Sequence, residues 1–430
     1  MTRRLDGKTI VLGLSGGIAC YKAAELVRLL RTEGARVRVV MTRHATQFIT
    51  PLTLQALSGE PVSTELFDLT QESEVGHIRL ADRADAVVVA PATANLIGKI
   101  AAGIADDLLT TVLLATRAPV LIAPSMNVHM FENAVVRANL AKLAERGQRI
   151  VNPGVGYLAC GYEGAGRLAE PVVIAAEIER AVGPGDLTGQ RVLVSAGPNR
   201  EAIDPVRFIS NRSTGRMGHA LASAAWRRGA EVVLVSGPTA QPAPHGLRVV
   251  PVTTAAEMCE ALLRECEAAS MIFMAAAVAD YRPIRPAAQK IKKGQGTLSI
   301  ELERTVDILG ELRRRKGDRL LVGFAAETEN VVANAQRKFR DKGLDLMVAN
   351  DVSRNDAGFA TETNEVVLID RGGRRDIALA DKDEIADRVL DRALELRRGA
   401  AGAAGETSRV RELRPPVGTA ALRAKRRRDR

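Results

Sequence analysis

Two lysines four residues apart, Lys338 and Lys342, sit on one face of a predicted helix. Ahead of them lie a basic run, Lys290-Ile-Lys-Lys293-Gly294, and two carboxylates, Asp280 and Asp307. Fixed cations of this kind neutralise a polyphosphate and the charge that develops during group transfer. Asp280 leaves the buried run Ala275-Ala-Ala-Val-Ala-Asp280, where a carboxylate suits a nucleotide with Mg2+. From spacing alone, the lysine pair reads as a solvated helix face. Ser210, Asn211, Ser213 and Thr214 precede a further helix, as an N-cap with a polar turn or as the seat of a substrate phosphate.

The first half carries a different set. Ser15-Gly16-Gly17 follows a strand and precedes a helix, so its N–H groups suit one phosphate or form a plain tight turn. Pro91-Ala-Thr-Ala-Asn95 and Pro124-Ser-Met-Asn127 each leave a buried strand, where proline ends the ladder and turns the chain outward. Either alone is an ordinary strand exit. His77 stands at a predicted helix start and can transfer protons, although a lone histidine is more often structural. Cys160 lies in the run 154–166, which holds five glycines and suits a closing lid better than a core.

Two similar passages must position these residues. Thr9-Ile-Val-Leu-Gly-Leu14, a helical stretch to Glu33 and Arg36-Val-Arg-Val-Val40 form one strand–helix–strand opening. Arg191-Val-Leu-Val-Ser195, a helix from Met217 to Arg228 and Glu231-Val-Val-Leu-Val235 form the other. Further apolar runs (86–90, 120–123, 271–274, 321–324, 346–349) alternate with helical patterns, which predicts parallel sheets with both faces covered. The fold class is α/β, with two Rossmann-like three-layer domains whose sheets are mainly parallel. Gly183-Pro-Gly-Asp-Leu-Thr-Gly189 reads as the seam, giving domains 1–185 and 186–398. Neither opening has the G-x-G-x-x-G spacing of a dinucleotide site, which weakens a nicotinamide enzyme.

The net charge of +10 sits largely in the segment 399–430, whose nine basic and three acidic residues carry +6. That Gly-, Ala- and Arg-rich segment is expected to be a disordered tail. Without a basic stripe carrying stacking aromatics in the folded part, a nucleic-acid module is disfavoured. Four cysteines without paired spacing read as reduced thiols. No apolar run reaches 18 residues, and no signal-peptide core is evident, so a cytoplasmic protein is expected.

Taken in order, Ser-Gly-Gly-Ile-Ala-Cys-Tyr-Lys (15–22), Gly-His-Ile (76–78), Pro-Ala-Thr-Ala-Asn (91–95), Pro-Ser-Met-Asn (124–127) and Ala-Cys-Gly (159–161) resemble the homo-oligomeric flavin-containing cysteine decarboxylases. The resemblance implies FMN held around Ser15, Gly16, Gly17, Thr42, Pro91, Thr93 and Asn95, and a substrate ending in cysteine. Oxidising the thiol carbon first lets the electrons left by CO2 delocalise onto sulfur, giving an enethiol that is then reduced. The family assigns proton transfer to His77, the substrate carboxylate to Asn127 and protonation during reduction to Cys160. It also implies subunit interfaces that complete the flavin sites, in a dodecamer of fused chains.

The second half resembles phosphopantothenate–cysteine ligase through Ile-Ser-Asn (209–211), Ala-Ala-Val-Ala-Asp-Tyr (276–281), Lys-Ile-Lys-Lys (290–293), Gly-Phe-Ala-Ala-Glu-Thr (323–328) and Ala-Asn-Asp-Val (349–352). In that family CTP activates 4′-phosphopantothenate as an acyl-cytidylate, which the amine of cysteine attacks. The resemblance places Ala275, Ala276, Asp280, Val306, Asp307, Ile308, Leu309, Phe324, Lys338 and Lys342 around CTP. It puts Lys290 at the reacting phosphates, Asn211 at the acyl intermediate and Mg2+ at Asp280. Val306 and Arg216 stand where proline and lysine are usual. Fusion of the two activities is itself characteristic of the bacterial coenzyme A pathway, with 4′-phosphopantetheine as product. The competing enzyme reading is a flavin-dependent peptidyl-cysteine decarboxylase with a non-catalytic second domain; CTP-dependent pyrophosphate release separates the two.

Overall fold

The run Ala86-Val-Val-Val-Ala90 is apolar on both faces, so it is stable only between two covering layers, and every residue of its strand is buried. The same logic organises both halves of the computed structural model, which describes residues 3–67, 76–157, 161–293, 297–351, 353 and 361–412, with side chains as far as residue 399.

The first half runs β1 (Thr9–Leu14), α1 (Cys20–Thr32), β2 (Arg36–Met41), α2 (Pro51–Ser58), α3 (Gly76–Arg83) and β3 (Ala86–Ala92). It continues through α4 (Ala94–Ala102), α5 (Leu108–Ala115), β4 (Val120–Pro124), α6 (Val128–Glu132), α7 (Ala134–Glu145) and β5 (Arg149–Ile150). A hairpin of β6 (Gly154–Tyr157) and β7 (Glu163–Arg167) precedes α8 (Pro171–Val182). The parallel sheet has the order β2-β1-β3-β4-β5. One core under α1 and α8 contains Leu26, Leu30, Ile174 and Ile178; the opposite core under α4 and α5 contains Leu96, Ile97, Leu109 and Val112.

The second half runs β8 (Arg191–Ala196), β9 (Arg200–Ala202), β10 (Phe208–Ser210), α9 (Arg216–Arg227), β11 (Glu231–Ser236), β12 (Arg248–Pro251), α10 (Ala255–Cys266) and β13 (Met271–Met274). There follow β14 (Tyr281–Pro283), β15 (Leu302–Arg304), α11 (Ile308–Arg315), β16 (Leu320–Glu327), α12 (Val331–Lys342) and β17 (Leu346–Asp351). The last elements are β18 (Thr363–Asp370), β19 (Gly373–Asp381) and α13 (Lys382–Glu412). The main sheet has the order β12-β11-β8-β13-β16-β17-β18-β19, parallel as far as β17 and antiparallel beyond it. Helices α9 and α13 cover one face through Leu221, Ile385 and Val389, whereas α10, α11 and α12 cover the other through Leu262, Leu312 and Ala335.

The halves dock through charge as well as apolar contact. Arg180 of α8 donates to the carbonyls of Gly229 and Ala230 at 3.1 and 3.3 Å, and buried Glu179 lies 3.5 Å from both Arg4 and Arg227. The final helix corrects one expectation: it continues through residues 399–412, where a disordered tail was expected. Alanines at 400, 401, 403 and 404 have the highest helix propensity and extend a helix already anchored by Ile385, Val389 and Leu390. Residues 413–430 lie outside the described part. Among the described residues, no helix is long and apolar enough to cross a membrane.

Candidate active sites

In the first sheet, the chain leaves β1 to one side through α1 and β2, and crosses to the other side at β3. The order 2-1-3-4-5 therefore opens a crevice at the carboxyl ends of β1 and β3. Ser15, only 3% exposed, stitches that crevice. Its hydroxyl donates to the Pro91 carbonyl at 2.8 Å and accepts the Thr93 N–H at 2.9 Å. Thr93 in turn caps α4 by accepting from the Leu96 N–H. Thr42, at the end of β2, donates its N–H to the Leu14 carbonyl at 3.0 Å, bringing the next residues across the turn. A Cβ on Gly16 would stand 2.3 Å from the Cβ of His44 and 2.9 Å from its carbonyl carbon, so only glycine fits. Pro91 is buried, whereas Asn95 is exposed on the first turn of α4.

The end of β4 joins the same row. The Ser125 N–H donates to the Ala92 carbonyl at 2.9 Å, and Asn127 caps α6 by accepting the His129 N–H at 2.8 Å. Strand β7 lies against this turn: the Met126 N–H reaches the Gly166 carbonyl at 2.9 Å. Gly166 has φ +140°, and a Cβ there would come within 2.4 Å of the Met126 oxygen. The hairpin of β6 and β7 is thus anchored beside Asn127; Cys160 lies outside the described residues.

His77 is not brought to this row. It lines a small cavity with Thr9, Val11, Arg38, Ser63 and Arg83, near the start of β1, whereas the crevice opens at Leu14. Thr9 and Val11 stand five and three residues before Leu14, which sets this cavity roughly 10–16 Å down the strand from the crevice at ~3.3 Å per residue. Its Nδ1 is buried without a hydrogen-bond partner among the described residues.

The second sheet has the doubly wound order 3-2-1-4-5-6 when its parallel strands are counted from β8, with the crossover between β8 and β13. There a cavity of about 940 Å3 opens. It gathers Asn211, Ala275, Ala276, Asp280, Val306, Asp307, Ile308, Leu309, Phe324, Lys338 and Lys342 from five separate stretches of sequence. Asn211 donates its side-chain amide to the carbonyls of Ala277 and Val278, both at 3.0 Å, and so pins the loop that ends at Asp280. Thr305 pins it from the other side, its N–H on the Asp280 carbonyl at 2.9 Å. Lys342 lies 2.5 Å from Asp307, which also caps α11. Burial pushes the Asp307 carboxyl up, but the Lys342 ammonium and the Gly310 N–H outweigh it and hold it below the usual carboxylate range.

Lys290 does not line this cavity. It is exposed on the arm between β14 and β15, where the Ile291 N–H is held by Asp204 at 3.1 Å. Conversely, the cavity wall includes Arg216, Asn350, Asn364 and Lys382. Asn350 lies in the Ala-Asn-Asp-Val motif, but Asn364 and Lys382 carry no local signal, because they come from the antiparallel extension and the helix after it. Asp280 stands without a resident metal cluster: among the described residues, no group of three or more His, Cys, Asp or Glu could hold a metal. A single carboxylate fits Mg2+ that arrives with nucleotide phosphates.

Fold and crevices together define a class: two α/β domains in tandem, each open at a switch point of its sheet. Residues 1–183 match the family described as Flavoprotein, and residues 187–396 match the DNA/pantothenate metabolism flavoprotein C-terminal domain. The chain is 48% identical over 391 residues to the Coenzyme A biosynthesis bifunctional protein CoaBC of Bacillus subtilis (strain 168), covering 90% of this chain and 96% of that protein. It is 47% identical over 392 residues to the protein of that name from Escherichia coli (strain K12), covering 90% and 97%. A crystal structure of the C-terminal domain of a CoaBC protein is 40% identical, with a TM-score of 0.43, and covers 50% of this chain and 99% of that one. The chain belongs to the family of bifunctional coenzyme A biosynthesis proteins.

Proposed function

We propose that this enzyme ligates cysteine to 4′-phosphopantothenate at the expense of CTP, then decarboxylates the amide to 4′-phosphopantetheine with bound FMN. As a member of its family it combines a ligase with a decarboxylase. The observation that carries the reading is the single cavity that collects Asn211, Asp280, Asp307, Lys338 and Lys342 at the switch point of the second sheet. In the ligation, a carboxylate oxygen of the acid attacks the α-phosphorus of CTP and pyrophosphate leaves. The amine of cysteine then attacks the acyl carbon, and CMP departs with the bonding electron pair. Lys338 and Lys342 offset charge on the nucleotide, Asp280 holds the accompanying Mg2+, and Asn211 keeps the 277–278 carbonyls in place beside the acyl group.

In the decarboxylation, the row Ser15, Gly16, Gly17, Thr42, Pro91, Thr93 and Asn95 would hold FMN, with Gly16 letting the turn pack against His44. When bound, the flavin supplies oxidation of the thiol carbon and its later reversal. Asn127 holds the substrate carboxylate at the end of β4, His77 moves a proton and Cys160 donates one. Because His77 lies away from Asn127 within one chain, a second copy must complete the constellation. That agrees with an oligomer, for which the dodecamer of the family is the expectation, in the cytoplasm.

Two variants test the parts. Gly16→Ala forces a methyl into the His44 backbone, an overpacking worth about 1–3 kcal/mol. Flavin affinity should therefore fall about 10- to 100-fold, read from the visible absorbance of the purified protein; full retention of flavin would refute the cradle. Asn211→Asp removes two donated hydrogen bonds, each worth about 0.5–1.5 kcal/mol, and sets an anion against two carbonyls. Amide formation should slow about 10- to 100-fold while cytidylate still accumulates, as seen by quenched-flow mass spectrometry. Unchanged amide formation would remove Asn211 from the site. The whole reading is tested by CTP-dependent pyrophosphate release that requires phosphopantothenate.

A further inference from the structure

The cavity of the second sheet has cations on both sides of the sheet edge. Lys338 and Lys342 come from α12, on the face that also carries α10 and α11. Arg216 and Lys382 come from the first residues of α9 and α13, on the opposite face. Lys382 is only 6% exposed, yet it lines the cavity. Its ammonium donates to the Thr361 carbonyl at 2.6 Å, and Arg216 is close enough to repel it. Burial, the larger effect, and that repulsion bring Lys382 down to about 8. Arg216 also lies 3.9 Å from the exposed carboxylate of Glu362, and a phosphate oxygen between the two cations would add charge-assisted hydrogen bonds. Asn350 and Asn364, in hydrogen-bond contact at 3.5 Å, extend the same wall with neutral polar groups.

We propose that Lys382 and Arg216 form a second phosphate-binding pole of the ligase cavity, with Lys382 a specificity-determining residue that grips phosphate oxygens of one ligation substrate. The inference rests on the ligase reading and adds a subsite to it. Phosphate oxygens could reach this pole from the acid substrate's monoester or from the far end of the nucleotide's triphosphate.

Calorimetric titration of the full-length oligomer reads the pole without turnover. Phosphopantothenate, pantothenate and CTP are titrated separately into wild type, Lys382→Met, Lys382→Arg and Arg216→Gln. A charge-assisted hydrogen bond is worth about 1.5–3 kcal/mol, so Lys382→Met should weaken one phosphorylated ligand at least about tenfold. Lys382→Arg should recover most of the loss. If the acid's monoester fills the pole, phosphopantothenate weakens and pantothenate, which lacks the phosphate, does not. If the triphosphate fills it, CTP alone weakens. Affinities within about twofold of wild type for every ligand in both Lys382→Met and Arg216→Gln would overturn the proposal. Arg216 is part-exposed, so its variant decides the matter even if Lys382→Met does not fold. Absence of CTP-dependent pyrophosphate release from wild type is a separate failure, that of the ligase reading itself.

Discussion

Replacing Lys290 by glutamine should cut pyrophosphate release from CTP by about 10²–10³-fold, the scale set by removing one fixed donor from a developing anion. Affinity for cysteine should hardly change. The size of this effect follows from what the side chain lacks in the structure. Lys290 is exposed, and its arm springs from the cavity rim, where Tyr281 and Arg304 pair across β14 and β15. Asp204 and Arg207 hold Ile291, one residue further on, through its N–H and its carbonyl. Because Lys290 does not line the cavity, the proposed role places its contact with the phosphates in the reacting complex, where it would bear on turnover more than on ground-state binding. Pre-steady-state measurement of pyrophosphate and cytidylate checks it. Undiminished release would remove Lys290 from the chemistry.

Cys160→Ser should leave carbon dioxide release near the wild-type level and slow formation of the saturated thiol by about 10²–10⁴-fold, the usual contribution of a positioned acid. A thiol with an ordinary pKa of about 8.5 can give up a proton that a serine hydroxyl, a far weaker acid, cannot. The hairpin flanking this residue is fastened to the turn that carries Asn127, through the Gly166 carbonyl and the close approach at Gly164. In the proposed reading, the thiol between these two strands would protonate a substrate whose carboxylate is held at Asn127. Mass spectrometry should find a product lacking two hydrogens. A variant that still makes the saturated thiol at the normal rate would refute the role.

Much of this was legible in the sequence because parallel sheets impose an unambiguous pattern. Ala86 to Ala90 and Met271 to Met274 cannot be half-exposed, and the residues that follow such strands fall at one edge of the sheet. That is why Ser15, Thr93, Asn127 and Asp280 reach crevices although tens of residues separate them. The antiparallel pair β18–β19 was missed, although Arg371-Gly372-Gly373 is a turn signal between two runs rich in β-formers. With it went Asn364 and Lys382, whose places in the cavity depend on that extension. The length of α13 was obscured by glycines at 399, 402 and 405, which alanine neighbours override. His77 posed the opposite problem. Its motif is plain, but the crevice opens at the other end of β1, a separation that no single-chain pattern reveals.

The peptidyl-cysteine alternative leaves the 940 Å3 cavity and its lysines without work. The most direct test of the coupled account is one incubation of purified protein with phosphopantothenate, carboxyl-labelled cysteine, CTP and Mg2+. The account predicts a yellow protein that releases pyrophosphate and labelled carbon dioxide in equal amounts and accumulates phosphopantetheine. Labelled amide supplied directly but never decarboxylated, together with no pyrophosphate from CTP, would contradict it.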